Sequence, residues 1–165
     1  MRRIVELANE IADKYGGASV FETAENMGIN VWFRNLGSLK GFYLCENGGR
    51  YIVINEGLDD RMKAVVCAHE LGHDLLHREL SDGKIREKTL FLENSKTERE
   101  ANLFAASLLI SDSEILSELE NESSLEVLAA KLGFPREIVA YKIEALNCKG
   151  GTFNNEEIKN DFLKE

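Results

Sequence analysis

The stretch VVCAHELGHDLLHREL, residues 65–80, holds every histidine of the chain, His69, His73 and His77, in a largely apolar run. On an α-helix at about 100° per residue, the three histidines and Glu70 fall within one arc of roughly 100°. Ala64, Val65, Ala68, Leu71, Gly72, Leu75 and Leu76 form a continuous apolar arc beside them. Two imidazoles one turn apart can reach a single ion at about 2.0–2.1 Å each. A glutamate beside them, but not aligned with them, can touch a water on that ion without displacing it. That is the physical content of a His-Glu-x-x-His helix, where the carboxylate takes the proton of a metal-acidified water attacking a peptide carbonyl. Gly72 costs the helix about 1 kcal/mol relative to alanine, and close approach of a neighbouring element is the expected return. The competing reading is a buried helix whose histidines serve only the core.

A catalytic zinc needs three protein ligands and one open position. His77 lies about 12 Å along the axis from His69, too far to join the same ion while the helix continues, and is expected at the solvent edge or behind the ligands. Carboxylates of a second strong helical pattern, TEREANLFAASLL (97–109), are better placed. Its apolar centre is set by Ala101, Phe104, Ala105 and Leu108. Glu98 lies about 50° from that centre and Glu100 about 110°. Glu98 is therefore the preferred third ligand, with Glu100 as the alternative. Asn102, one turn after Glu98, is positioned to hydrogen-bond a ligand histidine.

The rest of the chain frames these two helices. Its 165 residues, 44% hydrophobic and 30% charged, suffice for one domain with a core. The net charge of −9 argues against general affinity for nucleic acid backbones or anionic membranes. No apolar run reaches the roughly 18 residues of a membrane span, and the N-terminus lacks a signal-peptide core. Three scattered cysteines, Cys45, Cys67 and Cys148, fit a reducing compartment, so a cytoplasmic protein is expected.

Residues 3–14 read as an amphipathic helix presenting Ile4, Leu7, Ile11 and Ala12, ended by Gly16 and Gly17. SVFETAENMGI (19–29) reads as a second, with Ser19 and Glu22 as a capping box and Gly28 as its close. Val31–Phe33, Lys40–Leu44 and Tyr51–Ile54 are strand-like, and ENGG (46–49) signals a hairpin. SDGK (81–84) breaks the histidine helix, and KTLFLEN (88–94) is a strand or a covering loop. DSEILSELE, SLEVLAAKLGF and REIVAYKIEAL give short helices, and the polar tail is loosely held.

HELGHDLLH (69–77) followed by EREANLFAASLLI (98–110), with YIVINEGL (51–58) before and SLEVLAAKLGFPREIVAYKIEALN (124–147) after, resembles the ImmA/IrrE family of metallo-endopeptidases. That family occurs with phages, mobile elements and stress regulators, and the resemblance spans most of residues 1–148. It implies an α+β fold: a zincin-like core with a small three-stranded sheet packed on the HExxH helix, plus a C-terminal helical, helix-turn-helix-like appendage. The expected division is a peptidase core (1–112), a helical subdomain (113–148) and a tail (149–165). The resemblance further implies a cytoplasmic zinc peptidase whose substrate is a helix-turn-helix repressor, cleaved to release transcription. Carried over, His69, His73 and Glu98 hold Zn2+, Glu70 is the catalytic base, and Asn102 supports the ligands. The run ends LLISD where the family often has a proline, so the helix exit differs here.

Two other functions compete. SLEVLAAKLGFPREIVAYKIEAL has a helix-turn-helix pattern, but its second helix offers only Arg136 and Lys142 against Glu137 and Glu144, so direct nucleic acid binding is not expected. A metal-binding protein that sequesters a repressor without hydrolysis is the main alternative, although it would not need Glu70. An edge strand of the β-segment is expected to pair with an extended substrate, and Tyr43 and Tyr51 are weak candidates for an oxyanion donor.

Overall fold

The structure, a computed structural model, describes residues 1–78, 96–119 and 124–151. Its elements run α1 (Arg2–Lys14), α2 (Val20–Asn26), β1 (Asn30–Arg34), β2 (Gly41–Glu46), β3 (Gly49–Asn55), α3 (Asp60–His77), α4 (Lys96–Leu109), α5 (Asp112–Leu119), α6 (Leu125–Leu132) and α7 (Arg136–Cys148). The fold is α+β, with a three-stranded sheet and seven helices among the described residues. The expected break at 81–84, the segment 88–94 and the tail from 152 lie outside them.

The local signals act as their chemistry requires. Ser19 Oγ accepts from the Glu22 N–H at 3.2 Å and the Glu22 carboxylate accepts from the Ser19 N–H at 2.7 Å, completing the capping box of α2. Asp59 caps α3 by accepting from the Met62 N–H at 2.8 Å. Asn47 and Gly48, with φ of 50° and 78°, form the two-residue turn between β2 and β3, whose twist matches the flanking strands. In α1 the buried face is Ile4, Val5, Ala8 and Ile11. Leu7 and Ala12 sit at its margin, so the apolar stripe is rotated slightly from its expected course.

The sheet order is β1-β3-β2, with β1 parallel and β2 antiparallel to the central β3. One face lies on α3 through Tyr43, Ile52 and Ile54, all within the main hydrophobic cluster. Gly41 is needed for this contact. A Cβ there would lie 2.4 Å from Val66 Cγ1 and 2.8 Å from the Val53 carbonyl oxygen. Behind α3 lies α4, and α4 in turn carries α1 and α7.

A buried carboxylate joins sheet to helix. Asp74 of α3 has a fully buried side chain. Its Oδ1 accepts from the Tyr43 hydroxyl at 2.7 Å, and its Oδ2 from Arg50 Nη1 at 2.8 Å. Arg78, one turn further along, donates Nε to Oδ1 at 3.2 Å and Nη2 to Oδ2 at 3.0 Å. Arg50 also donates to the Met27 carbonyl at the end of α2. Burial, then the hydrogen bond to Asp74 and its charge, push the Tyr43 phenol far above its ordinary value, so it remains a donor. Tyr43 is thereby committed to Asp74, and Tyr51 stacks on Trp32 at a centroid distance of 4.9 Å.

The helix pair α6–α7 turns at Gly133, whose φ of 69° is left-handed. Buried residues of both helices belong to the same hydrophobic cluster as those of α3 and α4. Lys142 is fully buried and donates to Asp112 Oδ1 at 2.6 Å, while Arg136 is paired with Glu126 at 2.8 Å. Both cations that the DNA-reading alternative would need are thus engaged within the fold.

Gly41→Ala is expected to lower the unfolding free energy by about 1–3 kcal/mol, the usual cost of overpacking. Urea titration followed by circular dichroism measures it.

Candidate metal centre

His69, Glu70 and His73 share a buried face of α3, at 1%, 6% and 3% exposure. Gly72 lies between the two histidines and meets α4. A Cβ at Gly72 would lie 3.2 Å from Ala101 Cα, 3.2 Å from Phe104 Cδ1 and 3.3 Å from the Ala101 carbonyl oxygen. The helices therefore touch almost backbone to backbone, which is the return expected for a glycine in that position. Residues flanking Ala101 on α4 are consequently delivered to the histidines.

Glu98 is one of them. Its Oε2 lies 3.3 Å from His69 Nε2 and its Oε1 3.4 Å from His73 Nε2, while the two Nε2 atoms are 3.1 Å apart. Four tetrahedral ligands at about 2.0–2.1 Å from an ion stand roughly 3.3 Å from one another. The three separations match that spacing, and the three residues form the group whose donor atoms can hold one metal ion among the described residues. All three are buried. Three convergent nitrogen and carboxylate donors on two helices suit a borderline metal such as zinc.

Asn102, one turn after Glu98, accepts at Oδ1 from His69 Nδ1 at 2.8 Å. That bond puts the ring proton on Nδ1 and turns the Nε2 lone pair toward Glu98 and His73. His73 Nδ1 has no partner among the described residues. Burial holds His73 down to about 4, against the hydrogen bond to Glu98 and with the charges of His69 and His77 adding to the drop. A neutral imidazole is the form that binds metal. At His69 burial also pulls downward, but the hydrogen bond to Glu98, the charges of Glu70 and Glu98 and the bond to Asn102 raise it overall.

The other candidates separate cleanly. Glu100 Oε2 is 3.4 Å from His77 Nε2, and Glu100 Oε1 is 3.7 Å from Lys96. His77 is buried one turn beyond the group, its ring 5.7 Å from that of His73. Neither belongs to the three-donor cluster. Asp74 is the residue the sequence reading missed. Its signal was a carboxylate amid the apolar residues of HELGHDLLH, on the side away from His69.

This geometry predicts that Glu98→Ala removes stoichiometric zinc binding, whereas Glu100→Ala retains it. Asn102→Ala is expected to weaken binding by about 10–100-fold. Competition with a chromophoric chelator distinguishes the three.

Comparison with known proteins agrees on the fold and the family. The family model for the IrrE N-terminal-like domain, Peptidase M78, matches residues 24–144. Uncharacterized immunity region protein 2 of Bacillus phage phi105 is 37% identical over 130 residues, covering 78% of this chain and 82% of that protein. Metallopeptidase ImmA of Bacillus subtilis (strain 168) is 30% identical over 146 residues, covering 86% and 82%. A solved Mycobacterium tuberculosis transcriptional regulator superposes with a TM-score of 0.62 at 15% identity. That similarity of fold covers 88% of this chain and 48% of the regulator's. With the family model matched across most of its length and a metallopeptidase among its relatives, the chain belongs to the ImmA/IrrE family.

Proposed function

We propose that this protein is a zinc-dependent endopeptidase that hydrolyses a peptide bond in a helix-turn-helix repressor and so relieves repression. The observation that carries the reading is the buried cluster of His69, His73 and Glu98, with Glu70 on the same helix face as the histidines. When bound, zinc supplies a Lewis acid and a water acidic enough to attack at neutral pH.

The chain's own residues supply the remainder. His69, His73 and Glu98 hold the ion, and Asn102 fixes the orientation of His69. Glu70 follows a ligand directly and is the base that takes the proton of the attacking water and passes it to the leaving amine. Its burial keeps bulk water from competing for that role.

Substrate enters as an extended segment along β2. The Asn55 N–H bonds the Lys40 carbonyl, and antiparallel pairs alternate in hydrogen bonding. Phe42, Leu44 and Glu46 therefore exchange bonds with β3, and the peptide groups of Gly41, Tyr43 and Cys45 point out along the sheet edge. Among the described residues no strand pairs with that edge. A peptide added there gains backbone hydrogen bonds with little demand on its sequence. The immunity-region relative supports a repressor as the partner.

Glu70→Gln is expected to keep one zinc per chain and to slow cleavage by about 10²–10⁴-fold. The assay is incubation of zinc-loaded protein with a helix-turn-helix repressor encoded beside it, read by mass spectrometry with and without chelator. Binding of the repressor without cleavage, equal in wild type and variant, would favour the sequestering regulator instead.

A further inference from the structure

The contact between Tyr43 and Asp74 does more than hold sheet to helix. Asp74 directly follows the ligand candidate His73, so its Cα rides with that ligand. Tyr43 belongs to the set whose peptide groups face the open edge of β2. The 2.7 Å bond between the Tyr43 hydroxyl and Asp74 Oδ1 joins β2 to α3. β2 also packs sterically on the helix, with Gly41 close against Val66. Contacts at these separate points fix the strand along the helix axis as well as across it. Arg50 makes the node rigid by binding Asp74 Oδ2 from β3 and the Met27 carbonyl from the end of α2.

We infer that Tyr43 and Asp74 are positioning residues that set the distance from the peptide-docking edge of β2 to the metal-binding histidines. This rests on the peptidase reading and deepens it. A peptide hydrogen-bonded to Tyr43 has its scissile carbonyl carried to a height determined by the Tyr43–Asp74 bond. Loss of that bond leaves the metal ligands in place and lets the strand drift. Arg78, which holds Asp74 from the C-terminal cap of α3, stabilises the carboxylate but has no bearing on the strand.

The test compares two probes of the zinc-loaded full-length protein. Acetohydroxamate reports the metal alone, and an acetylated apolar tripeptide ending in a hydroxamate reports metal and edge together. In the wild type the tripeptide hydroxamate should bind more tightly than acetohydroxamate. Equal affinity there would refute docking along β2, and the inference with it. In Tyr43→Phe the affinity for zinc and acetohydroxamate should be unchanged, while the tripeptide probe weakens by about tenfold or more. Arg78→Ala should retain the tripeptide affinity, even if it lowers the thermal midpoint as much. Asp74→Ala should behave like Tyr43→Phe; if it does not fold, Tyr43→Phe decides. An unchanged tripeptide affinity in Tyr43→Phe, or a parallel loss of zinc and of both probes, would overturn the inference in favour of a purely structural bond.

Discussion

The close contact of α3 and α4 over Gly72 is the constraint on which the molecule depends. Side chains at a normal helix separation would leave Glu98 too far from the histidines to share an ion with them. Removing one Cβ lets Ala101 sit on the groove, and the i−3 and i+1 neighbours of Ala101 then become Glu98 and Asn102 of the site. The contact sets packing and chemistry together. It also explains why α4 is so thoroughly buried, with α3 on one side and α1 and α7 on the other.

A centre so enclosed carries an electrostatic cost. Burying an ionised carboxylate without compensation is expensive, yet Glu70, Asp74 and Glu98 all lie on or against one helix. Two arginines and a phenol compensate Asp74. Glu98 faces two imidazoles, and the proposed divalent cation would offset its charge far more fully. Two of these buried carboxylates thus obey different rules. Donors of the protein surround Asp74, and the proposed ion would be the main counter-charge of Glu98.

Much of this was legible in the sequence because the informative features are periodic. The histidine helix, the inward course of Glu98 relative to Glu100 and the nearness of Asn102 to the histidines all follow from angles on a wheel. The strands followed from short β-branched runs, and the hairpin from Asn47 and Gly48. What periodicity could not supply was long-range pairing. Nothing in the chain near Arg50 announces that it meets Asp74 across 24 residues. The parallel pairing of β1 with β3, which leaves β2 at the edge facing α3, was equally hidden. Lys142 shows the opposite limit, a cation weighed for DNA reading that lies inside, held by Asp112.

The alternation along β2 divides that strand into two faces under separate demands. Tyr43 looks inward and is tied to α3, so its identity is constrained by the helix. Phe42 and Leu44 look the other way and make no such commitment. A two-residue turn ties this division to β3, since slipping the register by one would turn every side chain of β2 over. Substitutions at Phe42 and Leu44 can therefore be absorbed without disturbing the helix contact, whereas Tyr43 is held to its identity by Asp74. Freedom to vary along β2 is confined by the geometry to its outward side chains.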